Sequence, residues 1–294
     1  MPIRLLLIEP HDSHLQVSLI ERGAIYSHLE NIVKAKIPTS INNDGLALGQ
    51  MDDEFIESTI RSYTKYAILS HKWLRGTPGE ITYDHWNKGS LDPESAGYRK
   101  LVSFCMTAWK DYGITLAWMD TVCINKDSSS ELDESIRSMY AWYERADICI
   151  VYLSETQTIT QIPYDTWFTR GWTLQELLAP KILKFYSSKW IQLAQGSNDK
   201  TNFNILGFIR QATTITPFEL HRGISFLHVP LSRRMQWAAS REVTREEDMA
   251  YSLMGVFDVS ISIAYGEGAD RAFLRLLEEI MKKAPSGALD LLNW

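Results

Sequence analysis

The sequence predicts an α/β fold, a largely parallel sheet wrapped by helices on both faces. Three observations carry this. Short, wholly apolar runs recur through the middle of the chain; they alternate with stretches whose apolar residues repeat at helical spacing; and each run ends in polar residues. Strands apolar on both faces belong in parallel sheets covered on both sides, and strand–helix alternation is the pattern of crossover units.

The elements follow in order. Residues 1–63 read as an N-terminal extension: Ile3 to Glu9 is one strand, Asp44 to Gln50 a glycine-containing polar connector, and Asp52 to Tyr63 a short acidic helix. Tyr66 to Ser70 opens the core, assigned to residues 64–200, as a buried strand. Gly97 to Asp111 then sets Leu101, Phe104, Cys105 and Ala108 at i, i+3, i+4 and i+7, one face of a helix. Thr115 to Met119 is the next strand, ending at Asp120. Ser130 with Asp133 has the spacing of a capping box, opening a helix whose Ile136, Met139, Tyr140 and Tyr143 share a face. Asp147 to Leu153, rich in β-branched residues, is the third strand. Trp172 to Leu178 is a short helix stopped near Pro180, and Ile182 to Tyr186 is the fourth strand. Right-handed crossovers bring the strand ends Ser70-His71, Asp120 and Ser154 to one edge, the carboxyl edge along which open α/β sheets place ligands.

Residues 201–294 read as a helical portion packed on this core. Thr216 to Pro230 is a mixed connector. Arg245 to Phe257 repeats Ala250, Leu253, Met254 and Phe257 at helical spacing. Tyr265-Gly266-Glu267-Gly268 is a turn, and Arg271 to Lys283 is a helix with Phe273, Leu276, Leu277 and Ile280 inward. The apolar end Leu291-Leu292-Asn293-Trp294 reads as a point from which a longer chain continues.

Composition narrows the function. A net charge of -6, from 30 basic and 36 acidic residues, argues against a nucleic-acid binder, which carries a basic face. The basic residues are scattered, so there is no polybasic membrane anchor, and the run Leu5 to Ile8 is too short for a signal peptide or a span. Cys105, Cys123 and Cys149 form no CxxC pair and have no histidines at metal-ligand spacing, so no metal is expected. Their sparse, odd count fits free thiols in a reducing compartment, and the simplest location is cytoplasmic.

The chemistry concentrates in Arg170-Gly171-Trp172-Thr173-Leu174-Gln175-Glu176-Leu177-Leu178-Ala179-Pro180. A lone carboxylate among Leu174, Leu177 and Leu178 is either tied to Arg170 as a structural pair or kept for chemistry, because charged groups are seldom buried unpaired. Elsewhere the readings are plainer. Ser70 and His71, adjacent on a strand, point to opposite faces and line the ligand edge rather than forming a nucleophile–base pair. Asp120 holds a sugar hydroxyl or a loop backbone. Cys123 is a packed thiol, Asn125 closes a turn, and Arg241, Arg245, Glu247 and Asp248 form an ion-pair cluster at helical spacing.

Three linked stretches, Tyr66-Ala67-Ile68-Leu69-Ser70-His71-Lys72-Trp73, Trp118-Met119-Asp120-Thr121-Val122-Cys123-Ile124-Asn125 and Trp167 through Pro180, together resemble the fungal heterokaryon-incompatibility (HET) domain. Thr244 to Tyr251 and Tyr265 to Gly268 look like its continuation, so the resemblance spans roughly residues 64–282. Lys126 departs from it, standing where glutamine is common. That family is in turn similar to Toll/interleukin-1-receptor (TIR) domains, which implies a TIR/flavodoxin-like parallel sheet. The resemblance maps the catalytic glutamate of NAD⁺-cleaving TIR enzymes onto Glu176. It implies a pocket lined by Ser70, His71, Lys72, Trp73, Asp120, Arg170 and Trp172, with NAD⁺ or a related nucleotide as substrate and no required cofactor. It further implies self-association, a possible upstream non-self sensor as partner, and a cell-death role. A non-catalytic module that signals by homotypic assembly, and a nucleotide-binding switch without turnover, are the alternatives.

Overall fold

A computed structural model describes residues 1–11, 15–27, 64–74, 76, 79–221 and 229–283. The connector at Asp44–Gln50, the acidic helix at Asp52–Tyr63 and the apolar end at Leu291–Trp294 lie outside the described residues, as does part of the connector at Thr216–Pro230.

Six strands form one sheet: β1 (Arg4–Pro10), β2 (Leu15–Glu21), β3 (Tyr66–His71), β4 (Leu116–Trp118), β5 (Ile148–Tyr152) and β6 (Leu183–Tyr186). Their spatial order is β2-β1-β4-β3-β5-β6. The four strands β4, β3, β5 and β6 pair in parallel, as their uniformly apolar sequences require, and every residue of β3 is buried. The α/β expectation holds, and the four strands start and stop within a residue or two of the positions read from the sequence.

The N-terminal segment departs from the single strand expected of it. β1 pairs antiparallel with β2 over Arg4–Pro10 and then antiparallel with β4, so this hairpin extends the sheet at the β4 edge. β2 alternates Leu15, Val17 and Leu19 with Gln16 and Ser18, the pattern of a half-buried edge strand, and its burial is correspondingly partial.

The helices are α1 (Tyr83–Asn87), α2 (Ala96–Tyr112), α3 (Asp120–Cys123), α4 (Ser129–Arg145), α5 (Thr173–Leu178), α6 (Phe203–Thr213), α7 (Pro217–His221), α8 (Leu231–Ala238), α9 (Asp248–Tyr251), α10 (Met254–Phe257) and α11 (Ala269–Lys283). α2 buries Leu101, Phe104, Cys105 and Ala108, the face its spacing predicts. Its second residue must be glycine, since a Cβ on Gly97 would stand 2.5 Å from the carbonyl oxygen of Gly79. That close approach pins the segment around Glu80 against the helix start.

α4 is capped two residues earlier than expected. Its N-cap is Ser128, whose hydroxyl accepts from the Glu131 N–H at 3.4 Å. The run Ser128-Ser129-Ser130-Glu131-Leu132-Asp133 offers two hydroxyl–acid spacings. The Asp133 carboxylate is taken by the backbone N–H of Ile263 and by Arg137, which leaves the cap to Ser128. The continuous helix expected from Arg245 to Phe257 is instead the two short helices α9 and α10. Its residues Ala250, Tyr251, Leu253, Met254, Val256 and Phe257 are all buried, so tertiary packing rather than one helical ladder holds the segment. α11 buries Ala272, Leu276 and Ile280, while Phe273 and Leu277 pack only partly. α6 went unread in the sequence despite its signals: an Asn202 cap accepting from the Asn204 and Ile205 N–H groups, and inward Ile205, Leu206 and Ile209.

Candidate functional site

The chain leaves β3 through α2 to β4 on one side, then crosses back through α4 to β5 on the other side. The carboxyl ends of β3 and β5 therefore flank the topological switch point, where the loops diverge and leave a crevice. Ser70-His71 ends β3, Asp120 follows β4, and Tyr152 ends β5, so the topology collects these residues at one edge.

Glu176 enters this edge from α5. All six residues of α5 are buried, because the helix is wedged against α4 and β3 and has no solvent face. Its first turn is fixed from outside the helix. Thr173 Oγ1 donates to the carbonyls of Trp167 (2.6 Å) and Arg170 (2.9 Å), and the buried Arg241 guanidinium donates to the Arg170 carbonyl at 2.8 Å and to Thr173 Oγ1 at 2.9 Å. Gly171 lets the Glu242 segment come alongside, since a Cβ there would meet Val243 Cγ1 at 2.5 Å. At the other end the buried Lys200 ammonium donates to the carbonyl of Leu178 at 3.1 Å, satisfying a helix C-terminus.

The carboxylate of Glu176 makes no ion pair. Ser70 Oγ donates to its Oε2, and Trp167 Nε1 donates to Ser70 Oγ at 2.8 Å, so a neutral relay reaches the acid. Of the two readings left open by the sequence, the Arg170–Glu176 pair is not formed: Arg170 is half-buried and exerts only a longer-range pull. Burial, against the Ser70 hydrogen bond, raises the Glu176 carboxyl from its ordinary value to about 7, and the neighbouring Asp120 charge adds to the rise. Arg241 lies within electrostatic reach. Burial lowers its guanidinium to about 9, partly offset by the Glu176 charge, and its Nη2 has no hydrogen-bond partner.

The opposite face of β3 carries a second group. His71 Nε2 lies 3.2 Å from Asp120 Oδ1, and Trp73 Nε1 donates to Asp120 Oδ2 at 2.8 Å. Burial and the Lys100 charge lower the His71 imidazole, keeping it neutral at physiological pH. Asp120 goes the other way. Burial alone would raise it, but His71, Lys126 and Trp73 together hold it well below the usual carboxylate range. Lys126 sits with its ammonium 3.5 Å over the Trp73 ring, covering one face of that indole. Beneath them Lys100 and Glu80 form a buried ion pair, and Glu80 also accepts from the Leu74 N–H at 2.7 Å, which fixes the chain after β3.

The sequence-predicted residues thus fall into three groups, with Lys72 apart from them. Ser70 and Glu176 are joined directly, and His71, Trp73 and Asp120 form the neighbouring cluster. Arg170 and Trp172 flank Glu176 from the preceding turn, with Trp172 half-buried against the core. Lys72 turns away, its ammonium 2.9 Å from Glu155 and 2.6 Å from Thr166 Oγ1. Arg241 is the site residue that the sequence misassigned. The expected cluster of Arg241, Arg245, Glu247 and Asp248 is not an ion-pair network. Glu247 accepts from the Gly266 N–H at 2.7 Å, Asp248 from Tyr265 at 2.8 Å, and Arg241 turns to α5. Helical spacing misled there because α9 begins only at Asp248. Cys123 is a buried thiol pushed up to about 12 by burial, and Asn125 closes a turn by accepting from the Asp127 N–H at 3.1 Å.

Among the described residues, no helix is long and apolar enough to cross a membrane. The family model for the heterokaryon incompatibility protein (HET) matches residues 66–163, which covers β3, β4 and β5 with His71, Trp73 and Asp120 but stops short of Glu176. The chain is 40% identical over 229 residues to the vegetative incompatibility protein HET-E-1 of Podospora anserina, a match over 74% of this chain and 16% of that protein. The chain therefore spans a small part of the length of that relative. No solved structure matches.

Proposed function

This chain is a heterokaryon-incompatibility (HET) domain protein, and on that premise we propose that it is an effector of non-self recognition that cleaves the nicotinamide–ribose bond of NAD⁺. Glu176 is the catalytic carboxylate. The observation that carries this reading is a buried acid at the carboxyl edge, beside the switch point, held by a neutral hydroxyl instead of a cation.

The chemistry asks for such a group. Nicotinamide already bears a positive charge, so its departure needs no general acid, and the bond breaks toward an oxocarbenium-like ribosyl cation. A carboxylate with no committed counter-ion can stabilise that cation and hold the ribose hydroxyls, and it does so most strongly where water is excluded. Arg241, fixed under the same helix turn, favours the anionic form that burial opposes. Neutral His71 and ionised Asp120 offer a donor–acceptor pair for ribose hydroxyls. Trp73, with one face under Lys126 and 39% of its surface exposed, offers the other face to an aromatic base. Water completes the reaction, giving ADP-ribose, nicotinamide and a proton, so no further cofactor enters. NAD⁺ loss in the cell is the route by which the domain would kill. The similarity of HET domains to TIR domains supports the same assignment, and with it a dependence on self-association.

A second reading, assembly without turnover, draws on Phe203 and Tyr164, which stand 88% and 76% exposed on two segments that pack together. Chromatography of NAD⁺ incubated with concentrated protein separates the two. Nicotinamide release by the wild type, lost in Glu176→Gln with self-association retained, supports the enzyme. An NAD⁺ pool left intact by concentrated, self-associated wild-type protein refutes it.

A further inference from the structure

Three cations near the carboxyl edge make no direct contact with a carboxylate among the described residues. Among the described residues, Lys126, Arg170 and Arg245 make no hydrogen bond or ion pair through their charged groups; Lys126 rests on the Trp73 ring, and Arg245 lies 4.1 Å over the Tyr265 ring. Asp120 and Glu80 pull on Lys126 from a distance and the charges of Arg170 and Arg245 oppose them, while that of Arg170 reaches Lys100 and Glu176 as well. In a chain of net charge -6, like charges gathered in this way are a local cost unless an anion joins them.

The fold places all three from independent anchors. A parallel bridge between Arg170 and Glu242, with Gly171 N–H donating to the Glu242 carbonyl at 2.8 Å, lays the segment leading to Arg245 beside Arg170. Tyr265, under the Arg245 guanidinium, donates to Asp248 at 2.8 Å, so Arg245 is held beside the start of α9. Lys126 is held over Trp73, whose Nε1 donates to Asp120. The nearby carboxylates make their direct contacts elsewhere, Asp120 with Trp73 and His71, Glu80 with Lys100 and Glu155 with Lys72, and Asp120 and Glu80 reach Lys126 only at longer range.

We infer that Lys126, Arg170 and Arg245 form a binding site for the diphosphate of a nucleotide, set beside Glu176 at the carboxyl edge. A single carboxylate ligand would answer one of these charges. A diphosphate presents several oxygens along a short span, and two arginines with their planar forks plus one lysine suit that shape. The inference rests on the reading of Glu176 as the cleavage residue, because it divides the substrate into a ribose at the carboxylate and a diphosphate at the cations.

Calorimetry with ADP-ribose, adenosine and inorganic pyrophosphate tests it on the wild type and on Lys126→Gln/Arg245→Gln. ADP-ribose and pyrophosphate bind the wild type with affinity that falls as salt rises, and the double variant loses at least roughly tenfold of it, while adenosine is unaffected. In turnover, the double variant raises KM for NAD⁺ by a similar factor with kcat within about twofold. Arg245→Gln alone, at an exposed side chain, gives a smaller loss in the same direction and keeps the test readable if the double variant does not fold. Equal affinity for ADP-ribose and adenosine, or an unchanged KM, overturns the diphosphate site while leaving the Glu176 reading in place. Intact, cation-dependent ADP-ribose binding together with full cleavage by Glu176→Gln overturns the latter and leaves the former.

Discussion

Asp199 and Glu176 are both buried acids that sit close to β6 in the sequence, and the protein treats them oppositely. Asp199, wholly buried, accepts from the Lys184 ammonium at 2.7 Å and from the Phe185 N–H at 2.7 Å, so both its oxygens are answered and a cation neutralises it. Glu80 is likewise neutralised by a buried cation, Lys100, through one of its oxygens. Glu176 instead receives the Ser70 hydroxyl and a distant arginine. A paired buried acid stiffens the fold; an unpaired one costs stability, and such a cost persists where the group is used. The contrast is what separates Glu176 from the several other acids in this interior.

The largest effect lies on the paired side. Lys184→Met strands Asp199 without its cation and destabilises the protein by about 3–5 kcal/mol in urea unfolding. Glu176→Gln has the opposite sign. Because the folded carboxyl sits near 7 and its ordinary value is 4.5, the folded state keeps a proton that the unfolded chain releases, and the wild type loses stability as pH rises through that window. The glutamine variant has no such loss. It is more stable than the wild type by roughly 3 kcal/mol above pH 7, a gain that vanishes below 4.5. A Glu176→Gln protein that is less stable at pH 8 than the wild type would mean that the acid is paired after all. Ser70→Ala produces the smallest change. It removes the donor to the carboxylate and leaves the Trp167 indole N–H unsatisfied, which costs about 1–3 kcal/mol and shifts the midpoint of the Glu176 titration upward. A downward shift in that titration would contradict the relay.

Much of this arrangement was legible in the sequence. The uniformly apolar strands and the polar residues that end them place Ser70, His71 and Asp120 at one edge, while Glu176 joins them only through the family resemblance. What could not be read were contacts between distant segments. Arg170 looked like the partner of Glu176 because it is six residues away, yet it lies across a backbone bridge from Glu242 and its guanidinium makes no ion pair among the described residues. The cation beneath α5 comes from Arg241, whose neighbours in sequence suggested an ion-pair cluster with Arg245, Glu247 and Asp248. β2 was missed because an edge strand announces itself by weak alternation alone, and α6 because its cap and apolar spacing were modest against a mixed background. The sequence carries periodicity; pairing between buried charges is settled by topology.

The most direct measurement is the pH dependence of nicotinamide release from NAD⁺ by concentrated wild type and Glu176→Gln. If the unpaired carboxylate is the working group, release by the wild type climbs about tenfold per unit below pH 7 and levels off above it, while Glu176→Gln falls by roughly 10²–10³-fold at the plateau. Release by Glu176→Gln at the wild-type rate, or a wild-type profile flat between pH 5 and 8, would contradict the account.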